Sequence, residues 1–163
     1  MASRLIHSPL PSISRQTAEM IEKSMIALVV EDDSSFREVV AFMLRRMGFR
    51  RVIMASDVEM AWEFLTRSRI DIVVSDWNME PTMGIDLLRS VRADHALARM
   101  PFVLMTANLS LDYWHMALEA GASDFLCKPF NLKQLQDTIT MVLPSGNGPG
   151  RRMMTLHPSR NIF

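Results

Sequence analysis

The sequence predicts an open parallel α/β fold over residues 25–143. Two observations carry this. Strand-like and helix-like patterns alternate along that stretch, giving five βα units. Four of the strand-like runs also end on residues suited to phosphate or metal chemistry. Ile26-Ala27-Leu28-Val29-Val30 runs into Glu31-Asp32-Asp33, and Ile70-Asp71-Ile72-Val73-Val74-Ser75 into Asp76. Phe102-Val103-Leu104-Met105 ends in Thr106, and Phe125-Leu126-Cys127 in Lys128. Ligands of open parallel sheets sit beyond the carboxyl ends of the strands, so these residues are placed to share one pocket.

The elements follow in order. A strand over about 25–31 precedes a helix over about 35–47, where Phe36, Val39, Val40, Met43, Leu44 and Met47 recur at helical spacing. Gly48 stops that helix. A short strand at 51–55 leads to Ser56-Asp57-Val58-Glu59, which reads as a capping box for a helix to about Ser68 with Ala61, Trp62 and Leu65 inward. The strand at 70–75 feeds a loop at 77–83. Gly84 opens a helix that turns Ile85, Leu88 and Val91 inward. Pro101 precedes the fourth strand. Ser110 caps a helix ending at Gly121, and the fifth strand spans about 124–127. Asn131 and Gln134 stand as cap and N3 of a last helix to about Leu143.

Composition bounds the function. The chain has 163 residues, 48% hydrophobic, enough for one domain with tails. No apolar run is long enough to span a membrane, and the N-terminus lacks the apolar stretch of a secretory signal, so a cytoplasmic protein is expected. The one cysteine, Cys127, excludes an internal disulfide and reads as a small core residue. Residues 25–143 hold 12 Lys and Arg against 16 Asp and Glu, a net −4, which argues against direct nucleic-acid binding. Residues 1–24 form an N-terminal extension, either disordered or a short helix. Residues 144–163 carry Arg151, Arg152 and Arg160 with no acid and form a basic Gly/Pro-rich tail expected to be disordered.

Glu31, Asp32 and Asp76 would converge at neighbouring strand ends. Three close carboxylates repel one another, and Mg²⁺ or Mn²⁺, which take oxygen ligands, would resolve the repulsion. A lone Glu-Asp-Asp is a solvated acidic turn; Asp76 at the matching place on another strand changes that reading. Asp76 could serve as ligand, base or nucleophile, and a carboxylate that attacks phosphorus forms an aspartyl phosphate. The incoming charge then needs neutralising from several sides, for which Lys128 offers a point charge and Thr106 a hydroxyl donor. Singly these residues mean little; their order, each after a strand, is specific.

Together the segments VVEDDSSFREVV, VVSDWNMEPTMGIDLL, VLMTAN and GASDFLCKPF resemble the receiver domain of two-component response regulators, closest to the stand-alone, chemotaxis-type regulators. The resemblance covers about residues 25–143. It implies a flavodoxin-like doubly wound (βα)5 fold with a parallel sheet in the order 2-1-3-4-5. It implies that Asp76 is the phosphoacceptor, that Asp32 binds the metal directly, and that Glu31 acts through metal-bound water. The backbone carbonyl of Asn78 would be a further metal ligand. Thr106 and Lys128 would sense the phosphate, and Phe125 would be the aromatic that swings inward when the threonine moves. Asp32–Asp33 is a second register for the acidic pair; Glu31–Asp32 is preferred because it directly follows Val29-Val30. The loop departs from the family in placing Glu80 before Pro81 and Thr82-Met83 before Gly84, which removes no expected ligand.

The expected function is that of a single-domain response regulator and not an enzyme. A histidine kinase or phosphotransfer protein donates to Asp76 with Mg²⁺ bound, and the chain then binds a protein effector or relays the phosphate. The 20 residues after Leu143 are too few for a helix-turn-helix unit, so output goes through another protein. Trp114 and Phe125 are candidates for the partner face, and a homodimer through the fourth helix, fifth strand and fifth helix stays open. Trp62 reads as core and Trp77 as a partly exposed optical probe beside the acceptor. Two other readings compete. One is a phosphorylation-independent protein-binding module on a receiver scaffold. The other is an aspartyl-phosphate phosphohydrolase, which would want a second acid two residues after Asp76, where Asn78 stands.

Overall fold

Among the described residues, five strands and five helices alternate: β1 (Ile26–Val30), α1 (Ser34–Met47), β2 (Arg51–Ala55), α2 (Val58–Arg67), β3 (Ile72–Asp76), α3 (Gly84–Ala93), β4 (Phe102–Thr106), α4 (Leu111–Glu119), β5 (Asp124–Cys127) and α5 (Leu132–Val142). The structure, a computed structural model, describes residues 25–108 and 110–143; the expectations for residues 1–24 and 144–163 lie outside them. All strand pairs are parallel and the order is β2-β1-β3-β4-β5, the flavodoxin-like arrangement.

The strand sequences explain why the sheet is covered on both sides. β3 and β4 are buried at every position, as parallel strands between two helical layers must be. Side chains alternate between two cores. Leu28, Val30, Val73, Phe102, Leu104 and Phe125 pack with the inner faces of α2, α3 and α4. Ala27, Val29, Ile72, Val74, Val103 and Met105 pack with Val40, Leu44 and Met47 of α1 and Leu135 and Ile139 of α5. Asp76 follows Ile72 and Val74 in parity, so it ends its strand on the side of α1 and α5.

Local chemistry sets the helix ends. Asp33 caps α1 by accepting from the Phe36 N–H at 2.7 Å. Gly48 ends α1 at φ 105°, a left-handed setting that favours glycine. Asn131 and Gln134 form the expected capping box on α5, and Ser110 caps α4. On α2 the cap is Asp57 and not Ser56: Asp57 accepts from the Met60 N–H at 2.8 Å, while the Ser56 hydroxyl donates to Asp57. Both residue types can cap, and the one nearer the first turn does. The backbone bond from Met60 comes first in holding the Asp57 carboxyl below its ordinary range.

Two further expectations are refined. Val39 and Phe42 turn outward on α1, with the Arg46 guanidinium 5.9 Å from the Phe42 ring centroid. Trp62 is half-buried against the core rather than within it. No helix among the described residues is long and apolar enough to cross a membrane.

Candidate functional site

The carboxyl ends of β1, β3, β4 and β5 bring the predicted residues to one place. Glu31, Asp32 and Asp76 each offer a carboxylate oxygen, all within 4.8 Å of one another. Glu31 and Asp76 are buried, whereas Asp32 is exposed. The Lys128 ammonium bridges the two buried acids, 2.7 Å from Asp76 Oδ1 and 2.7 Å from Glu31 Oε2. Asp33 is occupied as the α1 cap and lies outside the cluster. The oxygen-only donor set suits a hard divalent cation such as Mg²⁺, the surplus of negative charge over Lys128 favouring one. Asn78 lies exposed just beyond β3.

Charge and burial act against each other here. Burial pushes the Glu31 carboxyl above its ordinary value, Asp76 adds to the rise, and the hydrogen bond from Lys128 opposes it. Burial alone would lower the Lys128 ammonium, but its hydrogen bonds to Asp76 and Glu31 outweigh that and raise it. Lys128 is therefore charged throughout the physiological range. Cys127, next to it, is pushed up by burial and stays a thiol.

Thr106 ends β4, next to β3, and is buried. Its hydroxyl accepts from the Asn108 N–H at 3.0 Å, and its carbonyl accepts from the Lys128 N–H at 2.7 Å, so the β4 and β5 ends are tied together. The Lys128–Pro129 bond is cis, as is Glu80–Pro81 in the β3–α3 loop. Phe125 is only 8% exposed, its ring lying inward with the core on the α4 side of the sheet. Trp114 is half-buried and packs beside His115 at 5.1 Å between ring centroids.

Trp77 corrects an expectation: it is 1% exposed rather than partly exposed. Its N–H donates to the Met105 carbonyl at 2.8 Å, which extends the β3–β4 pairing one residue past Asp76, and its carbonyl accepts from the Gly84 N–H. Tyr113 of α4 then covers the indole at 4.8 Å between centroids. The loop thus turns the ring into the core on the α4 side of the sheet, in the residue that directly follows Asp76. Adding Mg²⁺ is expected to change the intrinsic fluorescence of the wild type, and Trp77→Phe to remove the response with Trp62 and Trp114 still present. A response that survives Trp77→Phe would place the reporter elsewhere.

Three residues at the site were not singled out by the sequence. Gly84 lies against the Asp76 carbonyl, where a Cβ would come within 1.8 Å of the oxygen. The Arg37 guanidinium donates to the carbonyls of Glu31 and Asp32. The Phe36 ring centroid lies 4.4 Å from Lys128 Nζ. For the last two a signal existed: helical side chains lean towards the helix N-terminus, so residues three and four after the Asp33 cap must overhang the β1–α1 turn.

Residues 27–140 match the response regulator receiver domain family. The chain belongs to that family. It is 36% identical over 124 residues to the chemotaxis protein CheY of Pseudomonas aeruginosa, covering 76% of this chain and 100% of that protein. It is 34% identical to CheY-3 of Vibrio cholerae, over 76% of this chain and 95% of the relative. Among solved structures, CheY4 of Vibrio cholerae superposes with a TM-score of 0.70 at 29% identity, covering 74% and 99% of the two chains. The receiver domain of a sensor histidine kinase from Pseudomonas aeruginosa, with a magnesium ion coordinated in its active-site cleft, gives 0.66 at 31% identity, covering 72% and 95%. The protein is thus a CheY-like receiver, of a family whose members are signalling proteins that bind Mg²⁺ at an acidic cluster.

Proposed function

We propose that this receiver is a phosphorylation switch with Asp76 as its acceptor. The observation that supports it most is the placement of Asp76. Its carboxylate is 2.7 Å from the Lys128 ammonium, which it shares with Glu31, and lies in one cluster with two further acids suited to a cation, Glu31 and Asp32. An Asp76 oxygen attacks the phosphorus of a phosphohistidine on a histidine kinase or phosphotransfer protein. The P–N bond breaks as the new P–O bond forms, and the imidazole leaves. Mg²⁺, held by Asp32, Asp76 and the Asn78 carbonyl and by Glu31 through water, would supply charge neutralisation on one side. Lys128 supplies it on the other.

Thr106 is the second sensor. Its hydroxyl is engaged with Asn108 in this state, and a phosphoryl oxygen at Asp76 competes for it. Drawing Thr106 inward pulls on the loop that leads to the Ser110 cap of α4. Phe125, whose ring lies inward on that side in this structure, is the aromatic that fills the space vacated as Thr106 moves, and phosphorylation selects that form. Leu111 and Met116 are exposed on α4, and with Trp114 they offer an apolar surface for a protein effector.

The test is intact mass after incubation with acetyl phosphate. A single phosphoryl adduct is expected on the wild type with Mg²⁺, and none without Mg²⁺ or on Asp76→Ala. An adduct that persists on Asp76→Ala would overturn the assignment. Absence of any adduct, even from a phosphorylated histidine kinase, would favour a binding module that works without phosphorylation.

A further inference from the structure

Lys128 has to stay aimed at Asp76 while both of its ionic partners change. In the structure its ammonium is held by Asp76 and Glu31. The acceptor chemistry proposed above, on which this inference rests, disturbs both contacts. Phosphorylating an Asp76 oxygen forms a mixed anhydride and removes the charge of that carboxylate, and a divalent cation beside Glu31 competes with Lys128 for it.

A third contact is left untouched by either change. The Phe36 ring lies 4.4 Å from Lys128 Nζ, within the roughly 6 Å reach of a cation–π interaction. The ring is held in turn. Phe130, two residues after Lys128, meets it edge-on at 5.6 Å between centroids. The Phe36 N–H is anchored on Asp33, and the next residue, Arg37, grips the carbonyls of Glu31 and Asp32. Phe36 is itself half-buried, so the pair Phe36–Phe130 forms an apolar wall on the α1 and α5 side of the ammonium.

We propose that Phe36 is a positioning residue for phosphoryl acceptance at Asp76. Its ring keeps the Lys128 ammonium on the acceptor while the carboxylates exchange their partners. What the position requires is an aromatic face. Tyrosine therefore suffices, and leucine, apolar but without a π-face, does not.

The test compares wild type, Phe36→Tyr and Phe36→Leu with two readouts. The first is NMR of the Lys128 side chain, whose Cε–Hε resonances the ring current displaces upfield. The displacement is expected to persist in wild type and Phe36→Tyr when Mg²⁺ and beryllofluoride are added, and to be lost in Phe36→Leu. The second is the rate of adduct formation from acetyl phosphate, expected to be about three- to tenfold slower in Phe36→Leu and restored in Phe36→Tyr, with Mg²⁺ affinity unchanged. A wild-type displacement that vanishes on beryllofluoride loading, or a Phe36→Leu rate equal to wild type, would overturn the inference while leaving Asp76 as acceptor. Failure of the wild type to take phosphoryl at all would instead overturn the functional reading itself.

Discussion

Gly84→Ala is expected to lower the melting temperature by about 10 °C or more and to disorder the β3–α3 loop. A Cβ at residue 84 would sit 1.8 Å from the Asp76 carbonyl oxygen, 2.8 Å from Ser75 Oγ and 3.0 Å from the Asp76 carbonyl carbon. Two of these atoms are backbone of the central strand, so no flexible side chain can yield. Overpacking usually costs about 1–3 kcal/mol. Here the helix start or the strand end must move, so we expect about 3 kcal/mol or more, and about 4 °C per kcal/mol for a domain of this size. Gly84 also donates to the Trp77 carbonyl. The same substitution should therefore abolish the Mg²⁺-dependent fluorescence change where the protein still folds. Thermal unfolding together with a Mg²⁺ titration checks both, and a variant with wild-type stability would mean that α3 approaches β3 less closely than described.

Lys128→Met is expected to destabilise the protein by about 2–3 kcal/mol near pH 8, and by clearly less near pH 5. The ammonium is the cationic side chain bridging buried Glu31 and Asp76, and stranding buried charges costs about 3–5 kcal/mol when fully enclosed; the partial exposure of Lys128 reduces this. The pH dependence follows from proton linkage. Glu31 is raised above 4.5 in the folded protein, chiefly by burial. The folded state thus holds its proton more tightly than the unfolded chain. That contribution is fully present below pH 4.5 and is lost as pH rises through the raised value. Removing Lys128 removes an opposing influence, so Glu31 rises further and the loss extends to higher pH. Lys128 itself is raised above 10.5, so its own contribution is intact below that pH and lost above its folded value. The wild-type advantage should therefore be widest at neutral to mildly alkaline pH and narrow in acid. Urea midpoints at pH 5 and pH 8 measure it. Millimolar Mg²⁺ should restore part of the loss at pH 8 by lending its charge to the same acids. An equal loss at both pH values, unmoved by Mg²⁺, would show that Lys128 stabilises through packing instead.

The features legible in the sequence were the local ones. The Gly48 stop and the Asn131–Gln134 box are written within a few residues of one another and stand in the structure at those positions, while the α1 hydrophobic period holds except at Val39, which turns outward. The cap of α2 was displaced by one residue because Ser56 and Asp57 are both competent and only their mutual hydrogen bond separates them. Strand order is not local, and it came through family resemblance. The convergence of Glu31, Asp32, Asp76 and Lys128 could be anticipated because a parallel sheet puts every strand end on one edge. The burial of Trp77 could not, since it depends on a loop folding back through Gly84 and on a tyrosine 36 positions further along the chain. Phe36 was read as an ordinary member of a helical stripe. Its contact with Lys128 joins residues 92 positions apart, and no periodicity encodes it.

The doubly wound layout has one consequence for how such a unit is built into cells and experiments. Glu31, Asp32, Asp76, Thr106 and Lys128 all lie at the carboxyl edge of the sheet. Met25 enters β1 at the opposite edge, and α5 runs back to deliver Leu143 there too, both packing on the same core as Phe49 at the far end of α1. A five-residue strand spans roughly 16 Å, so Met25 and Leu143 lie about that far from the Asp76 carboxylate. A dye or an affinity handle attached at either point starts at the edge opposite the acidic cluster.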